Sequence, residues 1–183
     1  MSETDEALLH AVRRGEGAAF DQLFLRYYQP IFRVAYRLVG EREQAEDLTQ
    51  ETFLTLYHHP PAADAASALF AWLCRVVLNR GMNALRGERR ERERIERLEA
   101  PAAPPDPQQE LLRSEERSGV RAVLTRLPER QRQLLVLRYA GLAYHEIAAI
   151  IGVAPGSVGT LLIRAERAFL AEYEQMEQHH AML

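Results

Sequence analysis

The chain has 183 residues, 47% of them apolar and 27% charged, with ten Gly and nine Pro, a balance that favours a folded helical protein over a disordered tract. No stretch approaches the roughly 18 uninterrupted apolar residues of a membrane helix. The opening segment is acidic through Glu3, Asp5 and Glu6 where a secretory signal is basic, so a cytoplasmic chain without membrane insertion is expected. The net charge of -3 argues against nucleic acid only if it is evenly spread, and it is not: residues 75–97 carry eight Arg against four acids.

In chain order, Ser2 or Thr4 is placed to cap a helix over Asp5 to Arg14 that stops at Gly15. A second helix runs from Ala18 to Val39, bends at Pro30 and stops at Gly40. A third runs from about Glu43 to His58 and is broken by Pro60-Pro61. A long fourth helix starts near Ala66 and continues through Trp72 toward Leu98. Leu69, Trp72, Leu73 and Val76 keep its apolar stripe, and Cys74, the only cysteine, falls among them as a buried thiol with no disulfide partner.

Four prolines in E-A-P-A-A-P-P-D-P-Q-Q remove backbone donors and mark residues 99–109 as a linker. The expected architecture is all-α: one domain over 1–98, a second over 110–177, and a tail over 178–183. In the second domain 110–126 is helical, Pro128 suits the start of the next helix and Gly141 its end. Two helices follow, Tyr144 to Ile151 and Pro155 to about Glu174, joined by Gly152-Val153-Ala154 in a helix-turn-helix pattern whose second member would be the DNA reader.

Three constellations carry chemistry. Asp47, Gln50 and Glu51 recur at i, i+3 and i+4 and share one face of the third helix, with Leu54 extending it, whereas Leu48, Thr52 and Leu56 point elsewhere. A solvated face is the plain alternative for such a set. On the fourth helix Arg75, Asn79, Asn83, Arg86 and Arg90 form a second face that mixes cations with amides, and Arg80 lies beside it. That mixture suits phosphate clamping with base reading. On the last helix, 100° per residue puts Leu162, Ala165 and Phe169 within about 40° of Val158 and Ile163 about 140° away. Thr160, Ile163, Arg164 and Arg167 therefore share an outer, methyl-rich face near Ser157, whose complement is either thymine methyls or another protein's apolar surface. The adjacent pairs His58-His59 and His179-His180 lack metal-ligand spacing, so neither metal nor cofactor is expected.

The string A-E-D-L-T-Q-E-T-F-L at 45–54 closely resembles the segment of sigma-70-family RNA polymerase sigma factors that docks on the clamp helices of the largest polymerase subunit. L-F-A-W-L-C-R-V-V-L-N-R-G-M-N-A-L-R-G-E-R-R at 69–90 is similar to the family's minus-ten reading and melting segment, and L-P-E-R-Q-R-Q-L-L-V-L-R-Y-A-G-L-A-Y-H-E-I-A-A-I-I-G-V at 127–153 to its minus-thirty-five domain. The small two-domain layout matches the extracytoplasmic-function (ECF) subfamily. The resemblance implies a non-enzymatic specificity subunit with Asp47, Gln50, Glu51 and Phe53 contacting core polymerase. It places Arg75, Asn79, Arg80, Asn83 and Arg86 on the minus-ten element, with one wall of the base pocket at about 58–68. Ser157, Thr160, Ile163, Arg164 and Arg167 would face the minus-thirty-five element. Implied partners are the polymerase clamp helices and flap, promoter DNA and an anti-sigma factor. The sequence departs from the family in V-G-T-L-L-I-R-A at 158–165, where polar or basic positions have become apolar, and in Ala143 and Ala154, which replace helix-capping Ser. A stand-alone helix-turn-helix regulator and a pure partner-binding protein are the competing readings.

Overall fold

A computed structural model describes residues 4–62, 68–96 and 119–180. The described residues form α1 (Asp5–Arg13), α2 (Gly17–Val39), α3 (Arg42–His58), α4 (Leu69–Glu96), α5 (119–126), α6 (Glu129–Tyr139), α7 (Tyr144–Ile151) and α8 (Pro155–His180). The protein is all-α, two helical domains joined by the segment that contains the Pro-rich stretch; that segment, the 110–118 portion of the expected helix and part of the expected base-pocket wall lie outside the described residues.

The helix ends follow from local chemistry. Thr4 caps α1, its Oγ1 accepting from the Ala7 N–H at 3.3 Å. Gly15 and Gly40 follow α1 and α2 with φ of 85° and 77°, a region that costs a residue with a Cβ but not glycine. Pro30 sits inside α2 without ending it. At α7 the Glu146 carboxylate accepts from the Ala143 N–H at 2.7 Å, half of a capping box whose reciprocal half an alanine methyl cannot supply. The last helix outruns its expected end near Glu174 and reaches His180. No Gly or Pro interrupts residues 171–180, and Tyr173 stacks on Phe169 at 6.2 Å.

In the first domain α2 is the hub, packed against α1, α3 and α4. Leu23, Ile31, Val34 and Leu38 of α2 meet Leu48, Phe53 and Leu56 of α3 and Leu73, Val77 and Met82 of α4, all buried. Gly81 lets α4 approach closely: a Cβ there would overlap Leu38 Cδ2. Asp5 of α1 joins Arg26 and Tyr27 of α2 through its two carboxylate oxygens. Burial, reinforced by the hydrogen bond to Asp5, pushes the Tyr27 phenol well up. Burial likewise pushes the Cys74 thiol up, which leaves it protonated and unreactive at neutral pH.

The second domain packs α6, α7 and α8 on one another. Its buried charge is Arg132, whose Nη2 donates to the carbonyls of Thr125 at 2.8 Å and Leu127 at 3.0 Å, capping the end of α5. Its Nη1 reaches Met82 Sδ of the first domain at 3.2 Å. Arg132→Met is expected to lower stability by about 2 kcal/mol, seen as an earlier urea midpoint, because methionine fills the space but leaves two carbonyls without their donor.

The two domains touch. α7 lies against α4 and α6 against α2, and the apolar core is continuous across the junction. Arg121 of α5 donates to Glu41 at 3.4 Å and Gln44 at 3.3 Å at the start of α3. Beside these contacts opens a groove of about 820 Å³ lined by Tyr36, Leu124, Val136, Tyr139, Phe169 and Leu170 among others.

Candidate nucleic-acid interface

The α3 surface is built by a division of faces. Ala45, Leu48, Thr49, Thr52, Phe53 and Leu56 are buried, and the two buried threonines satisfy their hydroxyls on the Ala45 and Leu48 carbonyls at 2.6 and 2.7 Å. That packing leaves Asp47, Gln50 and Glu51 exposed on the opposite side, with Leu54 beside them at 55% exposure. Phe53 does not belong to this set. It is 1% exposed, its ring 4.8 Å from Phe24 and edge-on to Phe20, so its assignment as a direct polymerase contact is corrected to a core residue. Six residues from Asp47 amount to 600°, which puts Phe53 some 120° off that face, arithmetic that the sequence alone permitted.

Glu51 is not idle in the isolated chain. Its carboxylate accepts from Arg80 Nη1 at 2.7 Å, and Arg80 Nη2 also donates to Thr55 Oγ1 at 2.9 Å. The pair is about half-exposed, so its net contribution is at most about 1 kcal/mol. It nevertheless aims Arg80 at α3 and away from its neighbours on α4.

Those neighbours form the expected cation–amide stripe. Arg75, Asn79, Asn83 and Arg86 are all exposed. Arg86 donates through Nη2 to Asn83 Oδ1 at 2.7 Å, so cation and amide are held side by side. The other guanidinium contacts cross the domain boundary. Arg75 Nη1 donates to the Ala149 carbonyl of α7 at 3.1 Å, and Arg86 Nη1 pairs with Glu129 of α6 at 3.2 Å. These interdomain bonds, like those of Arg121 and Arg132, have no signature in local sequence.

The helix-turn-helix is complete. Gly152, with φ of 70°, turns the chain between α7 and α8, and Val158, Leu162 and Ala165 are 0%, 3% and 0% exposed. Ser157, Thr160, Ile163, Arg164 and Arg167 all lie on the exposed side, Ile163 at 52%. Arg138 lies over the Tyr144 ring at 5.4 Å, fixing the aromatic at the start of α7 beside Gly159 of α8.

An exposed acidic face on α3, an Arg/Asn stripe on one long helix and a helix-turn-helix in a second domain are the features expected of a transcription-initiation subunit. The sigma-70 region 2 family matches residues 23–91 and the sigma-70 region 4 family residues 118–169. The RNA polymerase sigma-H factor of Pseudomonas aeruginosa is 33% identical over 177 residues, covering 91% of this chain and 92% of that protein. The ECF RNA polymerase sigma-E factor of Escherichia coli K12 is 32% identical over 181 residues, covering 92% and 94%. Among solved structures, CnrH in complex with the cytosolic domain of CnrY aligns with a TM-score of 0.61 at 22% identity, covering 94% of this chain and 99% of that one, and so shares the fold. The chain belongs to the sigma-70 family of RNA polymerase sigma factors, in its ECF subfamily.

Proposed function

We propose that this sigma factor acts in the cytoplasm without catalysis of its own, dividing its work between a core-binding and minus-ten domain over 1–98 and a minus-thirty-five domain over 110–177, joined by a linker at 99–109. Asp47, Gln50 and Glu51 present carboxylates and an amide to basic residues on the polymerase clamp helices. Arg75, Asn79, Asn83 and Arg86 bind the minus-ten element, the guanidiniums on phosphate and the amides on bases freed from the stack. Arg80, held by Glu51, orients α3 against α4 and reaches DNA only on leaving that pair. Ser157, Thr160, Ile163, Arg164 and Arg167 face the upstream duplex.

The observation that carries this reading is the exposed Asp47-Gln50-Glu51 face on a helix whose other side is fully packed. A stand-alone regulator has no use for it. An anti-sigma factor is a further proposed partner, supported by the family resemblance. The test is transcription from a promoter library by core polymerase supplemented with the full chain. Promoter-specific transcripts that depend on the protein establish the reading, whereas core-independent duplex binding without transcription moves it to a stand-alone regulator.

A further inference from the structure

The outer face of α8 is chemically odd for a DNA reader, because its centre is an isoleucine. Ile163 is 52% exposed, with Thr160 one turn before it and Arg164 and Arg167 after it, all exposed. Isoleucine neither donates nor accepts a hydrogen bond, so it cannot read a base edge through polar groups. An apolar docking patch for another protein needs several neighbouring exposed apolar side chains, and next to α8 it is Tyr144 of α7, 44% exposed beside Gly159 and held under Arg138, that comes nearest to supplying one. Leu161 is partly buried against the core and Leu162 is 3% exposed. Leu170, two turns further on, lines the interdomain groove with Phe169. Ile163 is flanked by a threonine and two guanidiniums, with the exposed Glu166 one turn on toward the interdomain groove, and the cations in excess suit a polyanion.

We infer that Ile163 and Thr160 read the C5-methyl groups of thymines in the major groove of the upstream element, with Arg164 and Arg167 on the flanking phosphates. This deepens the proposed minus-thirty-five contact and rests on it. The thymine methyl is the apolar group that a base pair offers in the major groove, and guanine, cytosine or adenine would press a polar edge against Ile163 and lose its hydration. Thr160 and Ile163 are three residues apart, about 4.5 Å along the helix, close to the spacing of neighbouring base pairs. They therefore meet adjacent steps. The threonine adds a hydroxyl beside its methyl, so its preference for thymine is the weaker of the two.

The test uses holoenzyme assembled from core polymerase and the full-length chain. Selection from a library randomised upstream is expected to return thymine at two neighbouring positions. Each is then replaced by deoxyuridine, which removes the methyl and leaves base pairing intact. Wild type is expected to bind about three- to tenfold more weakly when the thymine facing Ile163 loses its methyl. Ile163→Ala, at an exposed position that leaves the fold intact, is expected to be indifferent to that replacement while still sensing the other thymine. Thr160→Ser is expected to lose sensitivity at the second position alone.

Upstream binding that is sequence-dependent yet unaffected by deoxyuridine at every position overturns the inference and leaves the minus-thirty-five reading standing. Ile163→Ala with all DNA affinities unaltered also overturns it. Absence of any sequence-dependent upstream binding removes the reading on which the inference stands.

Discussion

Asp47→Arg is expected to abolish promoter-specific transcription while leaving the unfolding midpoint within about 2 °C of wild type. Asp47 is exposed on α3, so its replacement disturbs no core contact, and surface changes of this kind stay within about 0.5 kcal/mol. At a charge-complementary interface the same change replaces attraction by repulsion, a difference of several kcal/mol and at least about 100-fold in affinity for core. Asp47→Asn, which removes the charge without reversing it, should fall between, and the wild-type affinity should decline with salt. Competition with a reference sigma factor for limiting core polymerase measures this directly. Unchanged competition by a folded Asp47→Arg protein would exclude α3 as the docking face. Glu51 is the poorer choice for the experiment, since its loss also removes the carboxylate partner of Arg80 and mixes two effects.

Phe53→Ala should act through stability. The ring is 1% exposed between Phe20, Phe24 and the α2 core, and emptying such a site costs about 3–5 kcal/mol in lost contacts and cavity. For a small helical domain that is a fall of roughly 15 °C or more in Tm. Phe53→Leu keeps most of the volume and should recover most of the loss. Calorimetry of the free protein decides the matter: a contact residue would leave Tm in place and weaken core binding alone, and an unshifted Tm in Phe53→Ala would return Phe53 to the surface.

How far the sequence reaches depends on whether a feature is local. Gly15, Gly40, Gly141 and Gly152 mark helix ends because each needs a positive φ, and all four have one. The burial of Cys74 and the exposure of Ile163 follow from helical periodicity within one element, and both hold. Phe53 failed for a different reason: family likeness supplied its role, and the likeness records which residues occur together without saying which way each faces. α3 made this harder because two threonines occupy its buried face and dilute the apolar stripe. Arg132 was hidden more thoroughly. In a Q-R-Q-L string it has every mark of a solvated residue, and only the path of the chain, bringing Thr125, Leu127 and Met82 to it, makes it a buried cap. Contacts such as Arg75 with Ala149 and Arg121 with Glu41 join residues 74 and 80 positions apart and belong to tertiary packing alone.

The closed arrangement of the two domains has a thermodynamic corollary for promoter opening. Arg86 Nη1 is bonded to Glu129, whose carboxylate repels a phosphate approaching that guanidinium, and Arg75 Nη1 spends a donor on the Ala149 carbonyl, so the second domain takes up part of the surface a DNA backbone would use. With α4 in the proposed minus-ten role, the second domain is a tethered competitor for the first domain's ligand. Its strength is the local concentration imposed by the connecting segment, typically millimolar for a short tether. The exposed Arg86–Glu129 pair weakens with salt, but so does every phosphate contact, and the latter more steeply because several cations are involved. Ionic strength alone therefore does not exchange one partner for the other. A surface that held the two domains apart would do so by geometry, lowering that local concentration toward zero and leaving both guanidiniums to the DNA.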